Sequence, residues 1–484
     1  MFNRKPALLC LAALTLPGCS AGLISTVGPD YTAPPLPVSS KWQVTPSADN
    51  ALPIAHGGQA SDLLHWWAEF NDAALNRLLA TAEAESASVA NAYARIGQAR
   101  SNLASADTAF VPTLDGNIGV KRSSYSFGGP AFIWNQYQAG VQSSWEIDLF
   151  GGLARQGEAA RSQLESRNAA WHDARVAVAV EVGNAYLGYR YCEVQVQLAQ
   201  ADADSRRLAT QLTAIAAGSG LRSTTELALT QATAADGDRL VQQNQAQCER
   251  SLKGLVALSG LEESEVRQLL AAADKTAKLP VPPPFSIDAV PAQVLLQRPD
   301  IAAAERDLAE ASANIGVEQA KRYPKLSLSG NITPTLQNVN GSALMLAQTW
   351  SFGPTLSLPL FDYGKRAASV DAARAQYTAV ASTFKSKVRT AVKEVEEALV
   401  RLQSAGQRLP LAQQASQAYQ TRLQASQTLQ QAGLGNLLEV ATARRNQLTA
   451  ELAVKELEQE KVSAWIALYR AAGGSWENQE QMHE

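Results

Sequence analysis

Gln136-Tyr137-Gln138-Ala139-Gly140-Val141-Gln142-Ser143-Ser144-Trp145-Glu146-Ile147-Asp148-Leu149 is the stretch on which the fold of this chain turns. Tyr137, Ala139, Val141, Trp145, Ile147 and Leu149 alternate with Gln136, Gln138, Gln142, Ser144, Glu146 and Asp148. Period two over that length argues for a strand with one apolar and one polar face. A strand over 136–149 is long enough to cross an outer membrane at a tilt. Upstream, Leu114, Gly116, Ile118 and Val120 share one face of a second candidate strand, 113–123. A helical pattern from near Asp62 to Phe110 precedes it and stops at Pro112.

After Phe150-Gly151-Gly152 the period becomes helical and stays so until Gly218-Ser219-Gly220. Roughly 65 residues at about 1.5 Å each make a helix of about 100 Å. A return helix over 224–258 stops at Gly260. Residues 271–291 are a linker with Pro280, Pro282, Pro283, Pro284 and Pro291. The plan then repeats. A helix starts at Arg298-Pro299-Asp300, with proline suited to a first turn. Strands follow at 325–333 and 349–360, then a long helix from Phe361-Asp362-Tyr363-Gly364 to Gly433-Leu434-Gly435. A return helix ends at Gly473-Gly474. Pro112 and Pro324 are 212 residues apart, Phe150 and Phe361 are 211, and Gly220/Gly433, Glu226/Glu439 and Gly260/Gly473 are each 213. Landmarks holding one shift so closely mark a tandem duplication. The expected organisation is a leader at 1–18, an extended segment at 19–61, repeats at 62–270 and 292–474 around the linker, and a polar tail at 475–484.

Composition narrows the class. Hydrophobic residues at 46% and charged residues at 18% exclude a disordered chain. A net charge of −3 without a basic run argues against nucleic acid as a partner. His56, His65, His172 and His483 are scattered, no Cys/His cluster has zinc spacing, and no phosphate loop or nucleophile elbow appears. The reading is therefore not an enzyme, with no cofactor and no metal site. Arg4 and Lys5, the apolar run Ala7–Leu16 and Leu16-Pro17-Gly18-Cys19 make a secretory leader with a lipobox-like end, which predicts acylation of Cys19. An ordinary secreted chain with a chance cysteine is the plainer alternative.

No apolar run reaches about 18 residues, so a membrane crossing would need closed β-strands. One chain supplies four strands, which cannot close. Eight would be about filled by side chains, so an open duct needs at least three chains and about twelve strands. The polar face would line water and the apolar face would meet lipid. The long helices exceed any barrel's height and are expected to extend into the periplasm as a tunnel. Their Gly-containing breaks, 218–224 and 433–437, would be its tips.

Arg298-Pro299-Asp300-Ile301, Ala304-Glu305, Leu308, Ala311, Ile315-Gly316, Tyr323-Pro324 and Leu326-Ser327-Leu328 resemble the signature of TolC-like outer-membrane factors, specifically the NodT-type efflux lipoproteins. Gly28-Pro29-Asp30-Tyr31 and Trp66-Trp67 with Phe70, Asp72 and Leu75 are similar to the same family's N-terminal signatures. The resemblance covers about residues 16 to 475. It implies a mainly α fold with a membrane β-barrel contribution: a homotrimer with a twelve-stranded barrel, a helical periplasmic tunnel and an equatorial collar. It further implies tripartite efflux with a periplasmic adaptor and an inner-membrane RND-type or similar transporter, the duct carrying small toxic compounds or drugs out through the outer membrane.

Ser223-Thr224-Thr225-Glu226 and Asn436-Leu437-Leu438-Glu439 both fit a capping box. The bland reading is that they start the return helices. The family closes its tunnel at such tips, so Arg222, Glu226, Asn436 and Glu439 are gate candidates, and 218–227 and 433–440 adaptor contacts. Cys192 and Cys248 are equidistant in sequence from Gly220, hence at equal height in an antiparallel hairpin. A disulfide between them is expected; two buried free thiols are the alternative. Tyr125, Phe127, Phe132 and Trp134 surround the first strand–strand turn and would form an interfacial girdle, restrict the outer mouth or pack a loop. The competing class is a periplasmic coiled-coil adaptor or structural lipoprotein. An adaptor would show one hairpin between β-rich halves, whereas this chain shows two, each behind membrane-length strands.

Overall fold

The computed structural model describes residues 25–36, 42, 65–126, 128–272, 279–282 and 291–474. Cys19 and Phe127 lie outside the described residues. The elements run α1 Ala73–Glu85, α2 Ala87–Thr108, β1 Thr113–Tyr125, β2 Phe132–Ile147, α3 Gly152–Gly218, α4 Thr224–Ser259, α5 Glu263–Ala272, α6 Pro291–Leu296, α7 Pro299–Ala320, β3 Lys325–Val339, β4 Met345–Ser357, α8 Lys365–Gln431 and α9 Leu437–Ala471. They form two compact units. One holds the strands and draws on 102–161 and 310–377 with 25–31; the other is helical and draws on the described parts of 32–101, 162–309 and 378–474.

The strand unit is a four-stranded antiparallel sheet ordered β1-β2-β3-β4. β1 and β4 are its edges. The two repeats meet at β2 and β3, where Trp145 faces Leu328 and Val141 faces Ile332. Both hairpin strands are longer at the turn end than the alternation indicated, with β2 beginning at Phe132 and β3 ending at Val339. Backbone pairing continues beyond the apolar alternation because ladder hydrogen bonds form whatever the side chains.

In the helical unit, the helical pattern expected over 62–110 divides. Asp72 caps α1, accepting from the N–H groups of Ala74 (3.0 Å) and Leu75 (3.1 Å). At Ser86 the backbone turns extended (ψ 118°) and α1 ends. The Ser86 hydroxyl then accepts from the Val89 N–H at 3.4 Å, offering the backbone a local alternative to a continuous helix. The core sits around Trp66, which stacks on Tyr469 at 4.7 Å between centroids. Leu75, Leu78, Leu187, Leu252, Leu255 and Val266 complete it. Gly183 faces Trp67, and a Cβ there would come within 2.4 Å of the indole. The Tyr186 hydroxyl donates to Asp72 at 2.5 Å, and burial raises its pKa. α4 ends on Gly260 in the left-handed region (φ 67°), whose N–H caps Val256. α8 carries Pro410 in its interior. No described helix is long and apolar enough to cross a membrane.

Candidate functional site

The sheet divides its side chains without a slip. Register is constant along all three ladders, so facing residues share a side. Leu114, Ile118 and Val120 of β1 lie with Tyr137, Val141 and Trp145 of β2. Leu328, Ile332 and Leu336 of β3 and Leu346, Trp350 and Phe352 of β4 continue the same face. Ile118 is 89% exposed and Trp350 77% in the isolated chain. A contiguous apolar surface of this extent on a single chain marks a partner or a membrane. The rows Tyr137–Ile147, Leu326–Leu336 and Leu346–Leu356 span about 26 Å at ~3.4 Å per residue and ~40° tilt, close to the apolar band of an outer-membrane barrel. Arg122, Asn135 and Asn338 close the band at the turn end, and Asn135 donates to Asn338 at 2.8 Å.

The opposite face is polar. Asp115, Gln138, Gln142, Asn331 and Ser351 lie on it, with a Glu146–Lys325 ion pair of 3.1 Å at the end nearest α3. Tyr125, Phe132 and Trp134 also fall on this polar side, at the turn end.

An N-terminal strap is bound at the other end of the sheet. The Ser25 N–H donates to the Leu149 carbonyl (3.3 Å) and Val27 to Phe150 (3.0 Å). Arg155 at the start of α3 is buried and donates to the carbonyls of Val27 and Gly28 and to Asp30 (2.6 Å) and Glu158 (2.7 Å). Burial alone would lower the Arg155 pKa, but the two carboxylates outweigh it and raise it. Gly28 (φ +100°) rests on Gly316 of α7, where a Cβ would meet the Gly316 Cα at 2.4 Å.

At the tips, Ser223 caps α4 by accepting from Glu226 N–H at 3.1 Å, and Asn436 caps α9 by accepting from Leu438 N–H at 2.9 Å. The return half of each capping box is not made among the described residues. The Glu226 carboxylate instead pairs with Arg222, a charge-assisted bond stronger than one to a neutral N–H. Glu439 has no cation within ion-pair distance among the described residues. Cys192 and Cys248 are joined as a disulfide between α3 and α4, with Cα atoms 5.5 Å apart.

Arg298 is more than a helix start. α7 begins at Pro299, and the buried Arg298 guanidinium holds Asp300 bidentately (3.0 and 2.9 Å), pairs with Glu394 (2.7 Å) and donates to the Ala471 carbonyl (3.2 Å). It ties α7, α8 and α9 together. The sequence hinted at this only through an arginine set beside a proline, where a surface helix start needs none. No group of acidic, histidine or cysteine side chains suited to a metal is found among the described residues.

Comparison with known proteins agrees with this geometry. Residues 78–261 and 290–474 match the family described as "Outer membrane efflux protein". The chain is 30% identical over 480 residues to Nodulation protein T of Rhizobium leguminosarum bv. trifolii, covering 96% of each. It is 28% identical to Outer membrane protein OprJ of Pseudomonas aeruginosa, over 98% of this chain and 97% of that one. The solved outer-membrane channel OprN superposes with a TM-score of 0.80 at 27% identity, covering 93% of this chain and 99% of OprN. A two-faced sheet of membrane height, duplicated long hairpins and these matches lead to one conclusion: this chain belongs to the outer membrane efflux protein family, whose TolC-like channels serve tripartite efflux and are not enzymes.

Proposed function

We propose that three copies of this chain close their sheets into one twelve-stranded barrel. The duct is a passive exit for small toxic compounds that an inner-membrane RND-type pump delivers through a periplasmic adaptor, and each copy is anchored to outer-membrane lipid through Cys19. The observation that carries this reading is the unslipped register, which leaves β1 and β4 as unpaired edges of a sheet apolar on one side and polar on the other. In lipid such edges must be paired, and twelve strands are the smallest multiple of four that leaves a water-filled lumen. The strap supports the anchor. Chain from Cys19 to Ser25 reaches at most about 20 Å. Because Ser25 is bound at Leu149, an acyl chain on Cys19 meets the membrane at the helix-side end of the strands.

The test is the mass of the purified complex together with its conductance in planar bilayers. Trimers that form stable water-filled pores are expected; monomers or dimers without conductance overturn the proposal. Intact-mass measurement should show acylation that Cys19→Ala abolishes.

A further inference from the structure

We infer that Tyr125, Phe132 and Trp134 form an apolar collar at the turn end of the duct's inner face, one that favours the exit of apolar, ring-bearing solutes and resists hydrated ones. The inference rests on the proposed barrel, in which the polar face lines water.

The argument is one of parity. Tyr125 faces Phe132, and Trp134 faces Ser123 on one side and Val339 on the other. All of these share the side of Gln136 and Gln138, not that of Val141 and Trp145. A girdle that steadies a barrel in lipid would sit on the Val141 side, so these rings are not a girdle. Nor does their own loop cover Phe132 and Tyr125, 47% and 41% exposed, although Trp134 is half-buried. Tyr125 and Trp134 meet edge to face at 6.0 Å between centroids, so they form one surface. Val339 and Met345 extend it across β3 and β4. Below, the same face presents mainly amides, hydroxyls and charged groups, Lys121 beside Gln136 among them.

Three copies bring these rings into a closed band. Water held by the amides of Gln136 and Gln138 finds at the level of Trp134 only the Ser123 hydroxyl and the polar tips of the rings, and an apolar band that constricts a pore opposes hydrated solutes by dewetting. An apolar ring-bearing solute replaces that missing water and gains ring–ring contact.

The test uses the full chain in the outer membrane of intact cells, with one added thiol at Gln138→Cys, below the collar. Its labelling rates with N-phenylmaleimide and with a sulfonated maleimide are compared with and without Tyr125→Ser/Phe132→Ser/Trp134→Ser. The collar predicts that serine substitution speeds the charged reagent at least about tenfold and changes the apolar one by less than about twofold. Equal rates for the charged reagent in both backgrounds overturn the collar while leaving the barrel standing. Val141→Cys serves as the separate control: if the charged reagent labels Val141→Cys and not Gln138→Cys, the face assignment fails and the collar with it. Trp134→Gln alone, checked for native assembly, gives the same reading in smaller measure should the triple variant not assemble.

Discussion

Cys192 and Cys248 join α3 to α4 at equal sequence distance from Gly220, and only the first hairpin has this staple. At the shift of 213 the second hairpin carries Ala405 and Lys461 at these positions, with Pro410 close by in α8. The loop closed by the bond spans 56 residues. Loop entropy for that length is about 4 kcal/mol, so Cys192→Ala/Cys248→Ala should lower the heat resistance of the purified protein markedly. Equal alkylated masses with and without reduction would rule out the bond.

Arg298 predicts a comparable loss. Its replacement by Met leaves Asp300 and Glu394 facing each other without the cation, a cost of about 3–5 kcal/mol for a broken buried pair. Burial pushes Asp300 up, but hydrogen bonds and charge from Arg298 outweigh it and hold the carboxyl below its usual range. That contribution is complete above the unfolded carboxylate value near 4 and is lost as pH falls through the lower folded one. Arg298→Met should therefore lower the melting temperature most at neutral pH and least in strong acid, as helical circular dichroism can follow. An equal loss at both would show that packing, not charge, holds the site.

The sheet was legible in the sequence because lipid demands one continuous apolar face, and nothing else produces period two over Tyr137–Ile147. The hairpins were legible because Gly218-Ser219-Gly220 and Gly433-Leu434-Gly435 cluster glycines, whereas the glycines inside the helices, such as Gly183 and Gly406, stand singly in an unbroken helical period. The break at Ser86 was not, since serine neither fixes nor forbids a helical dihedral and the break depends on its own hydroxyl. α5 is less legible because it is only ten residues long: Val266 and Leu270 are its buried stripe and Arg267 pairs across to Glu249 of α4, too few positions to establish a period. Gly28-Pro29-Asp30-Tyr31 and Ile315-Gly316 each stood out, but only the fold shows that Gly28 lies against Gly316. Contacts between distant glycines leave no trace in spacing.

That glycine contact predicts that alanine is costly at both positions. Gly316→Ala should gain helix propensity of up to about 1 kcal/mol. It instead drives a methyl to within 2.7 Å of the Arg155 side chain and 3.0 Å of the Val27 carbonyl. Gly28→Ala adds a backbone strain of about 1–2 kcal/mol at positive φ. Both variants should release the strap, read as new proteolytic cleavage within residues 25–36. Protection equal to that of the parent protein would show that the strap holds without the close approach.

His172 predicts a response to acid. Burial, with the charge of Arg175 adding, pushes it down to about 4, against the pull of Glu83. An unfolded histidine takes its proton near 6.5. Between about 6.5 and 4 the unfolded chain therefore binds more protons, and stability falls as pH falls. His172→Gln should flatten the decline in melting temperature across that window. An unchanged slope would mean that other groups set it.

The two tips predict unequal electrostatics. Arg222 neutralises Glu226, whereas Glu439 has no described cation beside it. If the tips constrict the pore, the uncompensated charge is that of Glu439, and a ring of three would favour cations. In planar bilayers under a salt gradient, Glu439→Gln should move the reversal potential toward the unselective value. Glu226→Gln should move it the same way by a comparable amount, because breaking the pair leaves the positive charge of Arg222 uncompensated. Arg222→Ala should do the reverse of Glu439→Gln, raising cation preference by exposing Glu226. Reversal potentials unmoved by all three variants would place the constriction elsewhere in the duct.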